Sequence, residues 1–236
     1  MPLQLEVAGS KIRKYASLES GDTLEMVERP HGGMSFVLVD GQRSGRSAKT
    51  ISNLVARKAI ALLAEGVRDG AVARAAHDYL YTHRQGKVSA TLNIASIDMV
   101  SQTLVLSRNN HCPIYVLTGN GLLTLDEPSQ AVGVHRNTKP IVTEFALEAP
   151  MITVIFTDGL RTAGVRRHES LDIEQILEGL WAERVHSAQK VAEALFEASY
   201  QLDEHRPVDD ISLLVISITE EETPKIGRHL HMMFPL

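Results

Sequence analysis

Four acidic positions stand where apolar runs begin or end. Phe36–Val39 stops at Asp40-Gly41, and the apolar stretch from Met151 to Phe156 stops at Thr157-Asp158-Gly159. Asp209-Asp210 immediately precedes Ile211–Ile218, while Asp22 follows Gly21 and leads into Leu24–Val27. A strand end is held rigidly by its sheet, and a glycine after it lets the backbone turn and present its carbonyl. Asp40 and Gly41 could therefore offer oxygens to one hard cation. Taken alone, an Asp-Gly pair after a strand is also an ordinary turn signal. Four such sites together read as one oxygen-rich centre assembled from distant parts of the chain. Carboxylates, carbonyls and water suit Mg²⁺ or Mn²⁺, whereas zinc recruits Cys or His. With Cys112 as the one cysteine and no paired histidines near these strands, zinc is disfavoured.

Elements must bring these positions together. Leu3, Leu5 and Val7 alternate with polar residues, so Leu3–Ala8 reads as a strand. Lys11–Ser17 is expected to pair with it across a turn at Gly9-Ser10, giving an opening hairpin. Leu24–Glu28 and Met34–Val39 flank Arg29, Pro30, His31, Gly32 and Gly33, a second hairpin that would carry Asp22 toward Asp40. Helical spacing follows from Arg46 to Gly66 and again over Val72–Tyr81. Strands are expected at Val88–Ile97, Thr103–Ser107, Ile114–Leu117, Leu122–Leu125 and Ile141–Leu147, forming an antiparallel meander. Asp98, in a loop between two of them, reads as a turn residue. Two more helices are expected at Leu171–Trp181, with Ser170 as N-cap, and at Ser187–Leu202. Two consecutive helices after two hairpins argue for an α+β layered domain rather than a doubly wound sheet.

With 236 residues, of which 44% are hydrophobic, the chain can build one sizeable core. A single domain is expected over residues 1–218, and the acidic, proline-containing segment 219–236 is expected to form a flexible tail. The formal net charge of −5, with no basic stripe, speaks against nucleic acid as a partner. One cysteine rules out an internal disulfide framework and fits a reducing compartment, where no disulfide-linked partner is expected. The N-terminus is too short and too acidic for a signal peptide, and no apolar run reaches membrane-spanning length. The expectation is a cytoplasmic protein.

Several short stretches occur together in a fixed order. They are Ser20-Gly21-Asp22, Val39-Asp40-Gly41 with Gly45 and Ala48 behind it, and Ala90-Thr91-Leu92. Asn109-Asn110-His111-Cys112-Pro113, Ala131-Val132-Gly133, Phe156-Thr157-Asp158-Gly159-Leu160 and Asp209-Asp210-Ile211-Ser212-Leu213-Leu214 follow. In this order the chain resembles the metal-dependent protein phosphatases of type 2C, in their bacterial SpoIIE, RsbU and RsbX branch.

The resemblance implies an α-β-β-α sandwich of two antiparallel sheets, a centre of two Mn²⁺ or Mg²⁺ ions, and hydrolysis of phosphoserine or phosphothreonine in a protein partner. It implies that Asp40 bridges the two ions and that the Gly41 carbonyl binds one of them. Asp158 and Asp209 would hold the other, and Asp22 would complete the site directly or through water. Asp210 is left beside the ligands. Arg43, in the loop Gln42-Arg43-Ser44-Gly45, reads either as a phosphate contact or as a solvated arginine. By analogy, the substrate would be a phosphorylated regulator of the STAS class in stress or sporulation signalling. Two other readings are carried forward. One is a phosphatase-fold module that recruits a phosphorylated regulator with little turnover, and the other is an unrelated Mg²⁺ hydrolase of small phosphate esters.

Overall fold

The computed structural model describes residues 2–30, 32–221, 227 and 229–233. Ten strands divide into two five-stranded antiparallel sheets. The first contains β1 (Leu3–Ile12), β10 (Ile211–Glu220), β9 (Met151–Phe156), β6 (Ile114–Thr118) and β7 (Gly121–Leu125), in that spatial order. In the second the order is β2 (Asp22–Glu28), β3 (Met34–Gly41), β4 (Ala90–Asp98), β5 (Thr103–Asn109) and β8 (Ile141–Ala146).

Helices cover both outer faces. Along β3, Val37 and Val39 point outward onto Ile51 and Val55 of α1 (Gly45–Ala64) and Val72 and Leu80 of α2 (Asp69–Arg84). Phe36 and Leu38 point the other way, into the layer shared with Ile155, Leu214 and Ile216 of the first sheet. That sheet turns Val154, Phe156, Leu213 and Val215 toward α4 (Ile173–Ala182) and α5 (Ala188–Leu202). The central strands are buried on both faces, so they read as nearly continuous apolar runs. The result is the expected α+β sandwich, with layers in the order α-β-β-α. A short α3 (Asp158–Thr162) and a 3₁₀ turn (Val165–Arg167) follow β9.

Local expectations fail at several points. The opening hairpin does not form: β1 runs unbroken through Gly9 and pairs along its whole length with β10. Gly9 serves packing between the sheets, since a Cβ there would lie 2.8 Å from Leu24 Cδ2. The meander is also broken, because β6 and β7 cross to the first sheet while β8 returns to β5 in the second. Finally, α4 is capped by Asp172, whose Oδ1 accepts the Gln175 N–H at 2.9 Å, and not by Ser170. Asp98 does make a turn, accepting the N–H groups of Val100 and Ser101. The expected tail also starts too early, since Thr219 and Glu220 belong to β10 and pair with Gln4 and Leu3; of the remainder, residues 222–226, 228 and 234–236 lie outside the described residues, as does His31 of the second turn. No helix among the described residues is long and apolar enough to cross a membrane.

Candidate functional site

The antiparallel register of β2 and β3 sets Asp22 directly opposite Asp40. Asp40 is braced from β4, where Thr91 Oγ1 accepts its N–H at 3.2 Å. In the other sheet, β9 ends where β10 begins, so Asp158 at the head of α3 and Asp209 before β10 emerge at one edge. Thr157 ties the two sheets together. Its hydroxyl donates to Asp22 Oδ2 at 2.9 Å and accepts the Ser212 N–H at 3.0 Å.

Both Asp-Gly pairs use glycine for a close approach. A Cβ on Gly41 would lie 2.1 Å from the Ala48 carbonyl oxygen of α1, and one on Gly159 would lie 2.1 Å from the Asp210 carbonyl oxygen. Asp210 points away from its neighbour. Its carboxylate accepts the Lys14 N–H at 2.9 Å and the Gly21 N–H at 2.8 Å, anchoring the β1–β2 connection, while its own N–H donates to Asp209 Oδ1 at 2.9 Å.

The electrostatics show which carboxylates meet. Burial, then the charges of Asp22, Asp158 and Asp209, push the Asp40 carboxyl up to about 9. Burial also raises Asp22 to about 6, against the pull of the Ser212 and Thr157 hydroxyls. Asp209 is raised as well, chiefly by burial. Asp22, Asp158 and Asp209 therefore all lie within electrostatic reach of Asp40.

Among the described residues no three His, Cys, Asp or Glu side chains stand close enough around one point to cage an ion as they are placed. The donor set still fits a hard divalent cation. It consists of oxygens alone, and Asp22 Oδ1 is buried without a hydrogen-bond partner, an arrangement that is costly unless something positive completes it.

Other groups enter the site that the sequence reading gave no role. Lys11 and Lys49 both donate to the Asp22 carbonyl oxygen, at 2.5 and 2.6 Å, and Lys49 also donates to Thr23 Oγ1 at 3.0 Å. Burial and the neighbouring Lys49 charge push Lys11 down to about 8. His111 Nε2 stands 3.7 Å from Asp158 Oδ2 at the exposed rim. Thr157 and His111 lay within recognised motifs, but nothing in the spacing of Lys11 and Lys49 marks them. Arg43 is exposed in its loop with φ +79°, and no contact ties it to the four carboxylates. Cys112 is buried, and burial pushes its thiol up to about 12, which leaves no thiolate for nucleophilic chemistry.

A family model described as Stage II sporulation protein E (SpoIIE) matches residues 30–219. No curated protein matches the chain by sequence. Among solved structures, the PP2C phosphatase domain of SpoIIE from Bacillus subtilis, determined with a fragment of its regulatory domain, superposes with a TM-score of 0.78 at 18% identity. The match covers 91% of this chain and 63% of that one. RsbX in complex with magnesium superposes with a TM-score of 0.69 at 14% identity, over 92% of this chain and 100% of that one. The catalytic domain of the serine threonine protein phosphatase PstP, in complex with 2 manganese ions, gives a TM-score of 0.67 at 16% identity, over 93% and 100%. At these identities the structural likeness is one of fold.

Proposed function

The chain belongs to the SpoIIE family, and from that premise we propose that it is a metal-dependent protein serine/threonine phosphatase. Its substrate would be phosphoserine or phosphothreonine on a signalling partner. The observation that supports this reading is geometric: Asp22 and Asp40 stand opposite each other in the β2–β3 register, and Asp158 and Asp209 lie where β9 ends and β10 begins in the other sheet.

In this proposal Asp40 and the Gly41 carbonyl, with Asp22, Asp158 and Asp209, would hold two Mn²⁺ or Mg²⁺ ions. Such ions neutralise phosphoryl oxygens and lower the pKa of water at the site. The chain's own residues do the positioning. Thr157 fixes the rotamer of Asp22, Asp210 fixes the loop that delivers Asp22, and Thr91 braces the backbone at Asp40. Water attacks phosphorus in line with the departing serine or threonine oxygen, and no phosphoenzyme forms. That agrees with the lack of a reactive thiol at Cys112. We further propose a cytoplasmic setting and a regulator of the STAS class as substrate, by analogy with partner-switching systems.

The test is phosphate release from phosphoserine proteins as Mn²⁺ is titrated, with Asp40→Asn as the comparison. The expected result is metal-dependent turnover in the wild type and a loss of at least about 10³-fold in the variant, in line with removal of a group that organises metal catalysis. Metal binding without turnover on several phosphoproteins would instead favour the recruiting module. Absence of metal binding would remove the site altogether.

A further inference from the structure

Next to the carboxylates the surface changes sign. Contrary to the expectation of no basic stripe, helix α1 carries Arg46, Lys49, Arg57 and Lys58 and no acidic residue, in a chain whose formal net charge is −5. A cavity of about 320 Å³ opens beside the site, lined by Gln42, Arg43, Ser47, Thr50 and Arg84 among others. Gln42 directly follows Gly41, so this cavity begins where the site ends. A second depression of about 540 Å³ shares Thr50 with the first and continues between α1 and α2 past Asn53, Arg57, Lys58 and Tyr79.

Three observations mark the combined groove as a place for an acidic chain. Arg84 Nε is buried without a hydrogen-bond partner at the near end. None of Arg43, Arg57, Lys58 or Arg84 pairs with a carboxylate among the described residues. Lys58 is held over the Tyr79 ring at 5.7 Å, which orders its ammonium at the groove wall. Unpaired cations gathered along a groove favour an anionic partner and steer it by complementarity.

We propose that the groove between α1 and α2 docks an acidic segment of the protein substrate, contiguous in sequence with the phosphorylated residue. This deepens the phosphatase reading and rests on it for the direction in which the segment runs. Ser47 and Lys58 are eleven residues apart on one helix. At a rise of about 1.5 Å per residue that is about 16 Å, the span of about five extended residues. The acidic residues would therefore fall within about five positions of the phosphoresidue.

The experiment uses the full chain and fluorescein-labelled peptides of one sequence, flanked at those positions either by Glu or by Gln. Binding is read by anisotropy, independently of turnover. The expected result is about tenfold tighter binding of the Glu peptide at low salt, because exposed ion pairs are individually weak and act only in number. The difference should shrink at high salt. Arg57→Gln with Lys58→Gln and Arg84→Gln should abolish it. Arg57→Glu with Lys58→Glu should turn the preference toward a Lys-flanked peptide, which a misfolded variant could not do. Equal binding of Glu and Gln peptides by the wild type would overturn the proposal. So would a preference that survives the triple variant, or a single-stranded oligonucleotide that binds as tightly as the Glu peptide. Hydrolysis of p-nitrophenyl phosphate by the wild type with Mn²⁺ reports separately on the phosphatase reading, so the two can fail independently.

Discussion

Replacing either glycine of the two Asp-Gly pairs should damage the site more than any conservative change at its surface. At Gly41 an added Cβ would stand 2.1 Å from Ala48 O and 2.8 Å from Ala48 C, both backbone atoms of α1. At Gly159 it would meet Asp210 O at 2.1 Å, Asp210 C at 2.7 Å and Ile211 Cγ1 at 3.2 Å. Ordinary carbon contacts begin near 3.5 Å, so each pair of segments must separate by about 1 Å or more. Neither glycine has positive φ, so the cost comes from the contact and not from backbone strain. Helix α1 cannot simply yield, because Ala48, Ile51 and Val55 are buried in the outer core.

Overpacking of this kind costs about 1–3 kcal/mol, and a clash against backbone on both sides belongs at the upper end. For a chain of this size, about 3 kcal/mol lowers Tm by about 6–12 °C. Because Gly41 is joined to Asp40 and Gly159 to Asp158, the same displacement should weaken Mn²⁺ binding and lower kcat about 100-fold. Gly179→Ala is the control: it lies in α4 with nothing within 4 Å of the new Cβ. It should leave metal binding alone and stabilise by up to about 1 kcal/mol through helix propensity. Urea melts and Mn²⁺ titration calorimetry on the three variants decide the matter. If Gly41→Ala melts with the wild type and binds Mn²⁺ as tightly, the close approach of β3 to α1 is not what holds Asp40 in place.

Four further outcomes are expected. In chelator, Asp40→Asn should be more stable than the wild type at pH 7, because it relieves a buried carboxyl beside Asp22, Asp158 and Asp209, and Mn²⁺ should reverse the order; urea midpoints with and without metal test this. Thr157→Val removes the donor to Asp22 and should weaken Mn²⁺ about 10–100-fold, read by calorimetry; unchanged affinity would deny Thr157 its orienting role. His77 is buried with Nδ1 accepting the Gly133 N–H at 3.0 Å, and burial pushes its pKa down from 6.5. The unfolded chain therefore takes up a proton that the folded chain refuses, so stability should fall as pH drops below about 6.5, more steeply in the wild type than in His77→Gln by urea midpoints at pH 7.5 and 5.5. Asp69→Ala strands Arg29, which is paired with it at 3.0 Å and bonded to Ser35 and Ser96, and should cost about 3–5 kcal/mol; denaturant melts showing less than about 1 kcal/mol would mean that water relieves the buried charge.

How far the site could be read from sequence follows from how each residue reaches it. Asp22 opposite Asp40 is legible because one hairpin places both, and a hairpin is a local event with its turn written in Pro and Gly. Asp158 and Asp209 are legible as strand-end carboxylates, but their nearness to Asp40 depends on one sheet lying over the other, which no local pattern encodes. The same blindness explains the broken meander. β6 is buried along almost its whole length and so shows no period-2 signal, while β8 alternates cleanly; in neither case does the pattern say which sheet the strand joins. What carries the chain across is Asn110, buried between the sheets, with Oδ1 accepting the Cys112 N–H and its carbonyl oxygen accepting from Arg108 Nη1 at 2.7 Å.

Gly9 is ambiguous in the sequence for a related reason. A glycine in an alternating stretch signals either a turn or a close approach, and only the packing of Leu24 against it selects the second. Lys11 and Lys49 leave no mark in the sequence because they act on a backbone carbonyl, which every residue carries. The general consequence concerns charge. Carboxylates that repel one another can be held together only if other parts of the fold hold them, and here that work falls to Thr157, Asp210 and two lysines that reach the Asp22 backbone. A site of this kind is best found through its supports, because their bonds show which segments the fold must keep in place before any ion arrives.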